Sequence, residues 1–218
     1  MPGYETRKLD VRIGRLQWKI RALSDRVQYS DPDKSAEEAG ICSASWSLFG
    51  QLWPASRVLA QTVKHIDISN RRIIELGCGL GLPSLVLQSR GANVTASDHH
   101  PLSASFLHYN AALNNLPDVP YLDLPWGTPN PDIGTFDVII GSDILYERNH
   151  SEMLAGLIQR LAAARAKVLI TCPGRSQRNA FSRLLQAMGF EIEETLMPFS
   201  EDEKPPYRGK LLQYRRGF

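Results

Sequence analysis

The fold is predicted first from the segment Ile73-Ile74-Glu75-Leu76-Gly77-Cys78-Gly79-Leu80-Gly81. Its apolar, β-branched beginning predicts a buried strand, and three glycines at alternate positions follow directly. Glycines at such a turn let backbone N–H groups approach a ligand that any Cβ atom would block. The stretch therefore predicts a strand that enters a ligand-binding turn and opens a helix, although a tight turn without a ligand has the same local pattern.

Beyond Arg71, short β-branched runs alternate with helical patterns, which is typical of a mainly parallel sheet with helices on both faces. Strands are predicted near 73–76, 93–97, 119–122, 137–141 and 166–171. Helices are predicted near 82–90, 101–115, 150–164 and 176–188, because Leu or Ala recurs there at three- and four-residue spacing. A further helix is predicted to begin near Pro54, since proline fits the first helical turn.

The C-terminal part has a different pattern. Phe190–Thr195 and Lys210–Arg215 are strand-like, and the charged, Pro-rich stretch from Pro198 to Gly209 joins them without a helix. These features predict an antiparallel strand pair that closes the sheet. The predicted fold class is α/β, a Rossmann-like, seven-stranded and mainly parallel sheet.

Residues 1–45 allow two interpretations. Leu9, Ile13, Leu16 and Ile20 fit a helical period, but the apolar residues also alternate on either side of Gly14. The glycine and the β-branched residues around it favour a hairpin that turns at Gly14, followed by a loop over 30–45. We therefore expect an N-terminal extension over 1–45, packed on one domain over 46–218.

Length and composition exclude several classes of protein. A chain of 218 residues with 43% hydrophobic and 22% charged residues fits one globular domain. No apolar run approaches the length of a membrane span, and there is no apolar segment typical of a signal peptide. Cys42, Cys78 and Cys172 are too widely spaced for a disulfide framework or a CxxC metal site. With a net charge of only +2, we expect a cytoplasmic protein without a metal, membrane or nucleic-acid partner.

The spacing of the glycines distinguishes between two kinds of cofactor. Asp98 ends the next predicted strand, where a carboxylate can accept hydrogen bonds from both ribose hydroxyls, as in nicotinamide sites. The dinucleotide fingerprint, however, has its third glycine three residues after the second, and Leu82 occupies that position here. The third glycine is instead Gly81, which gives ExGxGxG. In this spacing the chain resembles the class I S-adenosylmethionine-dependent methyltransferases.

The resemblance narrows to methyltransferase family 16, the seven-β-strand protein lysine methyltransferases. It covers about residues 46–150. The stretches similar to that family follow its order: Phe49–Ala60, Gly79–Pro83, Asn114–Leu116, Trp126–Gly127 and Ser142–Tyr146. The resemblance implies S-adenosylmethionine as the cofactor and a protein lysine side chain as the methyl acceptor.

The resemblance and the glycine-rich turn together give a set of candidate cofactor-binding residues. They are Trp53, Glu75, Gly77, Cys78, Gly79, Gly81, Asp98, Asp123, Trp126 and Ser142. Glu75 either orders the turn or contacts a cationic group of the ligand. Relatives commonly have Leu-Asp-Trp-Gly where this chain has Leu122-Asp123-Leu124-Pro125-Trp126-Gly127, so either Asp123 or Trp126 has the role beside adenine.

The Asp-x-x-Tyr motif of the family corresponds to Asp143 and Tyr146, and the resemblance implies that both face the transferred methyl group. Asp143 would orient an incoming amine through a charge-assisted hydrogen bond, and Tyr146 would add a cation–π or hydroxyl contact. Trp53 as a packing residue and Asp143 as a helix cap are alternatives. Arg175 is predicted to be exposed. A small-molecule or arginine acceptor, or a binding module without catalysis, also remains open, as does the oligomeric state.

Overall fold

The computed structural model describes residues 3–127, 133–197 and 207–218. Most of the stretch from Pro198 to Gly209, predicted to link the last two strands, lies outside these ranges. The strands within them are β1 (Thr6–Ile13), β2 (Leu16–Leu23), β3 (Arg72–Leu76), β4 (Asn93–Asp98), β5 (Tyr121–Asp123), β6 (Phe136–Ser142), β7 (Ala162–Cys172), β8 (Glu191–Leu196) and β9 (Lys210–Arg216). The helices are α1 (Ser35–Glu38), α2 (Ser43–Trp46), α3 (Pro54–Val63), α4 (Leu82–Ser89), α5 (Ser103–Leu113), α6 (His150–Leu161) and α7 (Arg178–Ala187).

Seven strands form one sheet in the order β5-β4-β3-β6-β7-β9-β8. The first five are parallel, and β9 pairs antiparallel with both β7 and β8. Adjacent residues of a strand point to opposite faces, and Ile73 and Ile74 of β3 accordingly belong to separate buried clusters. One cluster includes residues of α3, α4 and α5, and the other includes residues of α6 and α7. The predicted fold class is confirmed.

One helix ends earlier than predicted. The helical pattern over 150–164 breaks after Leu161, and β7 begins at Ala162, which pairs with Phe136 of β6. Ala162 and Ala166 are both buried. Pairing with neighbouring strands outweighs the high helix propensity of alanine here, which is the usual result when the two compete.

The first 45 residues form more regular structure than a hairpin and a loop. β1 and β2 pair antiparallel around a turn in which Gly14 has φ +61°. The predicted loop, however, contains the one-turn helices α1 and α2. Asp31 stabilises α1 by accepting hydrogen bonds from the backbone N–H groups of Ala36 and Glu37, at 3.0 and 2.9 Å.

Candidate functional site

A cavity of about 670 Å³ opens at the carboxyl ends of β3, β4 and β6. These strands are neighbours in the sheet, and the connections from β3 and β6 run toward opposite edges. Open α/β sheets bind ligands at such a point, where the strand order reverses. The cavity is within the usual size range of small-molecule sites.

The glycine-rich turn after β3 forms the floor of the cavity. Gly77 and Gly79 line it, with φ +62° and +51°. A Cβ atom at Gly77 would lie 2.9 Å from Ile144 Cγ2 and 3.2 Å from Trp126 Cζ2, and one at Gly79 would lie 2.7 Å from the Phe49 carbonyl oxygen. The turn therefore requires glycine both for its backbone conformation and for space at the cavity.

Asp98 lies at the end of β4 and lines the same cavity. Its Oδ2 accepts a hydrogen bond from the Gly79 N–H at 2.8 Å, and its Oδ1 accepts from the N–H groups of His99 and His100 at 2.8 and 3.0 Å. A carboxylate has about four acceptor positions, so three backbone bonds leave one position unused at Oδ2. The arrangement fits a ribose hydroxyl.

Four other candidate residues also line the cavity: Trp53, Cys78, Trp126 and Ser142. Trp53 is half-buried, and its Nε1 donates to the Leu48 carbonyl at 2.9 Å. Cys78 is almost fully buried, and this burial raises the pKa of its thiol far above the usual value. A thiol in that state is a packing group and not a nucleophile.

Three candidates lie outside the lining of the cavity. Glu75 is fully buried, and its Oε2 accepts hydrogen bonds from the backbone N–H and hydroxyl of Ser84. Gly81, with φ +78°, is the N-cap of α4, and a Cβ atom there would meet Leu107 Cδ1. Asp123 is exposed at the end of β5. Glu75 and Gly81 thus organise the turn from beneath, and in this structure Trp126, not Asp123, borders the cavity.

Asp143 and Tyr146 both line the cavity on the side where β6 ends. The Asp143 N–H donates to the Thr171 carbonyl at 2.8 Å, and its φ of +53° is uncommon for a residue with a side chain. Asn149, not Asp143, is the N-cap of α6. Burial, together with the charge of Glu147, raises the pKa of Tyr146 to about 12, so its hydroxyl keeps its proton at neutral pH.

Arg175 forms a bidentate ion pair with Asp143 that no sequence pattern indicated. Its Nε and Nη2 donate to the two carboxylate oxygens of Asp143 at 2.8 and 2.7 Å. Arg175 is exposed as predicted, but it lies in the loop after β7, 32 residues along the chain from its partner. No local pattern relates two residues at that separation.

His150 is a second residue that the sequence analysis missed. Its Nδ1 donates to the Ile144 carbonyl at 2.9 Å, and its ring meets the rings of Trp126 and Tyr146 edge to face, at centroid distances of 4.9 and 4.5 Å. The imidazole thus packs between the indole of one candidate and the phenol of another. The sequence did contain a signal for this contact, since His150 follows Tyr146 by four residues. A residue in the first turn of a helix lies close to the loop that precedes the helix.

Within residues 3–127, 133–197 and 207–218, no group of three or more His, Cys, Asp or Glu side chains is arranged to hold a metal ion. None of the helices there is long and apolar enough to cross a membrane.

Comparison with known proteins identifies relatives. A family model described as lysine methyltransferase matches residues 42–188. Protein N-lysine methyltransferase METTL21A of Danio rerio is 32% identical over 172 residues, which cover 73% of this chain and 78% of that protein. Histone-arginine methyltransferase METTL23 of Xenopus laevis is 33% identical over 103 residues, or 44% of each chain. Magnesium protoporphyrin IX methyltransferase of Synechocystis, solved with bound SAM, has the same fold, with a TM-score of 0.58 and 19% identity over 77% of this chain and 86% of that one.

Proposed function

The chain belongs to the lysine methyltransferase family, and from that premise we propose that it transfers a methyl group from S-adenosylmethionine to the ε-amine of a lysine in another protein. The observation that carries the proposal is a single cavity lined by both Asp98 and Asp143. The first carboxylate suits a ribose, and the second suits an amine. A site with both groups can hold a nucleoside cofactor and orient an acceptor beside it.

The cofactor side of the site consists of the turn at Gly77–Gly79, Asp98 and Trp126. The turn brings backbone close to the ligand, Asp98 would accept a hydrogen bond from a ribose hydroxyl at the unused position of its Oδ2, and the indole of Trp126 would pack beside the adenine. When bound, S-adenosylmethionine would supply an electrophilic methyl group on its sulfonium: the lone pair of the acceptor nitrogen would form the N–C bond while the S–C bond breaks, and S-adenosylhomocysteine would leave as a neutral thioether.

The acceptor side consists of Asp143 and Tyr146. A lysine ammonium must first lose a proton to water, because only the neutral amine has a lone pair. Asp143 then accepts a hydrogen bond from an N–H of the amine, while the phenol of Tyr146 packs against its alkyl chain. Positioning of this kind supplies about 7–11 kcal/mol in well-oriented reactions, so no strong catalytic acid or base is required.

The proposal is tested by incubating the purified protein with S-adenosylmethionine labelled in the methyl group and a lysate of its own host. We expect a labelled protein band, and tandem mass spectrometry should locate the methyl group on a lysine. Asp143→Asn serves as the catalytic control and should leave that band weak.

The relatives named as histone-arginine methyltransferases make arginine the specific alternative acceptor. Label on an arginine would overturn the lysine assignment and leave the methyltransferase assignment in place. Absence of label from any lysate protein, with the cofactor product still bound by the enzyme, would overturn both.

A further inference from the structure

The ion pair of Asp143 and Arg175 borders two cavities. One is the cavity already described, and the other, of about 530 Å³, lies beside the first turn of α3 and the loop after β7. Trp53, Asp143 and Arg175 line both. A group bound in either cavity is therefore in reach of the pair.

The geometry of the pair is fixed at both ends. The bidentate contact uses both carboxylate oxygens, and parallel N–H···O bonds of this kind define orientation as well as energy. The backbone on either side is also held, by the bond from Asp143 N–H to the Thr171 carbonyl and by a contact from Arg175 N–H to Cys172 Sγ at 3.4 Å. The uncommon φ of Asp143 persists because the surrounding structure imposes it.

The charge of the pair matters for an amine acceptor. A carboxylate without a partner favours the ammonium form of a nearby lysine and raises its pKa by about one to three units. A guanidinium on the same carboxylate opposes that effect. Each oxygen still has an acceptor position, so Asp143 can take a hydrogen bond from the amine while Arg175 stays bound.

We propose that Arg175 is a positioning residue of the acceptor site, which fixes Asp143 and balances its charge so that the amine reaches the cofactor in its neutral form. This inference rests on the proposed function. It concerns how the acceptor is received and is independent of how the cofactor is bound.

Other titratable groups face the pair, and each has a defined effect. Tyr146, from the loop after β6, and Cys172, at the end of β7, interact with Arg175, and burial raises the pKa of Tyr146 to about 12, so its phenol is neutral. Glu147 and Asp98 act on Tyr146 from the first cavity, and Asp98 is engaged by three backbone amides. Further groups at the two cavities are His99, His150, Tyr207 and Arg208. The carboxylate nearest the guanidinium is Asp143, so its charge dominates when Arg175 is replaced.

The test is the pH dependence of methyl transfer by Arg175→Met, which keeps the length of the side chain and removes its charge. Initial rates of label transfer to host lysate proteins are measured from pH 6 to pH 10 at saturating S-adenosylmethionine. We expect the acidic limb of the profile to move up by about one pH unit or more, so that the rate falls at least tenfold at pH 7 and approaches the wild-type rate at pH 10. Affinity for S-adenosylhomocysteine should stay within about threefold.

Three further variants make the result specific. The double variant Asp143→Asn with Arg175→Met has neither charge, so its acidic limb should return to the wild-type position although its rate is low. For Arg175→Lys, the acidic limb of the pH–rate profile should stay at the wild-type position while the rate is reduced. This variant also replaces Arg175→Met in the test if Arg175→Met fails to fold. Arg178→Met, whose partner is Glu194, is the matched control and should leave the profile unchanged.

The possible failures are distinguishable. A rate for Arg175→Met that falls by one factor at every pH, or does not fall, would overturn the charge-balancing role while the proposed function stands. An absence of label with the wild-type protein would overturn both, because the role of Arg175 requires an acceptor amine.

Discussion

Asp98 and Asp123 are paired in register at the ends of β4 and β5, yet their surroundings differ. Asp98 is buried at the cavity and bonded to three amides, whereas Asp123 is exposed outside it. We predict that Asp98→Ala weakens binding of S-adenosylhomocysteine by about 1.5–3 kcal/mol, the usual value of hydrogen bonds to a charged group. Isothermal titration calorimetry measures this change.

Asp123→Ala is the matched control for that prediction, since it removes the same group one strand away. It should leave the affinity unchanged. Equal affinities for the Asp98→Ala variant and the wild-type protein would show that the ribose is not held at Asp98, and a loss confined to Asp123→Ala would transfer the role to β5.

The contacts of a single residue could be predicted from the sequence only where its partners are close to it along the chain. The position of Asp98 at a strand end beside the glycine-rich turn was predictable because strand ends and glycine spacing are local patterns. Arg175 was predicted to be exposed, which is correct, but its bond to Asp143 joins loops that only the folded sheet brings together. For Glu75 the sequence left two roles open, because a buried carboxylate beneath the turn and one facing the ligand have the same spacing; in the structure Glu75 bonds Ser84 beneath the turn.

At the scale of elements, the bond from Glu75 to Ser84 connects β3 to the first turn of α4. Full burial raises the pKa of Glu75 to about 8, against 4.5 in an accessible carboxyl group. Between about pH 4.5 and pH 8 the folded protein therefore keeps a proton that the unfolded chain has already released, so this contribution to stability is fully present below pH 4.5 and is lost as the pH rises through 8.

We predict that Glu75→Gln removes this dependence. Between pH 5 and pH 8 the free energy of unfolding of the wild-type protein should fall relative to that of the variant by at least about 1 kcal/mol. Urea denaturation at each pH provides the measurement. A constant difference between the two proteins across this range would mean that Glu75 titrates normally.

The N-terminal hairpin is attached to α5 by two asparagines. Asn110 is fully buried; its Oδ1 accepts a hydrogen bond from the Arg21 N–H, and its Nδ2 donates to the carbonyl groups of Arg21 and Leu80. Asn114 is less buried; its Oδ1 accepts from the Lys19 N–H, and its Nδ2 donates to the Lys19 carbonyl. We predict that Asn110→Ala lowers the free energy of unfolding by about 2–3 kcal/mol, and Asn114→Ala by about 1 kcal/mol, because buried groups left without partners cost more. Denaturant titration of both variants tests this order, and equal losses would contradict it.

Element types in the sheet domain were predictable because the apolar periods of strands and helices differ over whole segments. The ends of elements were less predictable. Strand β7 begins at Ala162 because that residue pairs with Phe136 of β6, although alanine favours helix. The short helices α1 and α2 have no apolar period of their own. Tertiary contacts specify them, with Trp46 of α2 buried against Tyr4 and Phe49.

In the molecule as a whole, we propose that the turn after β3 determines which cofactor binds. Leu82 is the fully buried first residue of α4 and occupies the position where dinucleotide-binding folds have their third glycine. We predict that S-adenosylhomocysteine at about 100 times its dissociation constant raises the melting temperature by about 5–10 °C. NAD at the same concentration should leave it unchanged, and equal stabilisation by NAD would contradict the assignment of the turn.

In the proposed mechanism, one cavity binds the cofactor through the Asp98 side and receives the acceptor through Asp143. If so, the two activities can be separated. Asp143→Asn keeps the shape of the side chain and removes its charge, and its affinity for S-adenosylhomocysteine should remain near that of the wild-type protein.

The most direct measurement is the rate of methyl transfer by Asp143→Asn at saturating S-adenosylmethionine, with the acceptor protein identified from the lysate. The rate should fall about tenfold to a thousandfold, the cost of losing roughly 1.4–4 kcal/mol of transition-state positioning. A wild-type rate in this variant would contradict the claim, because the amine would then be oriented without Asp143.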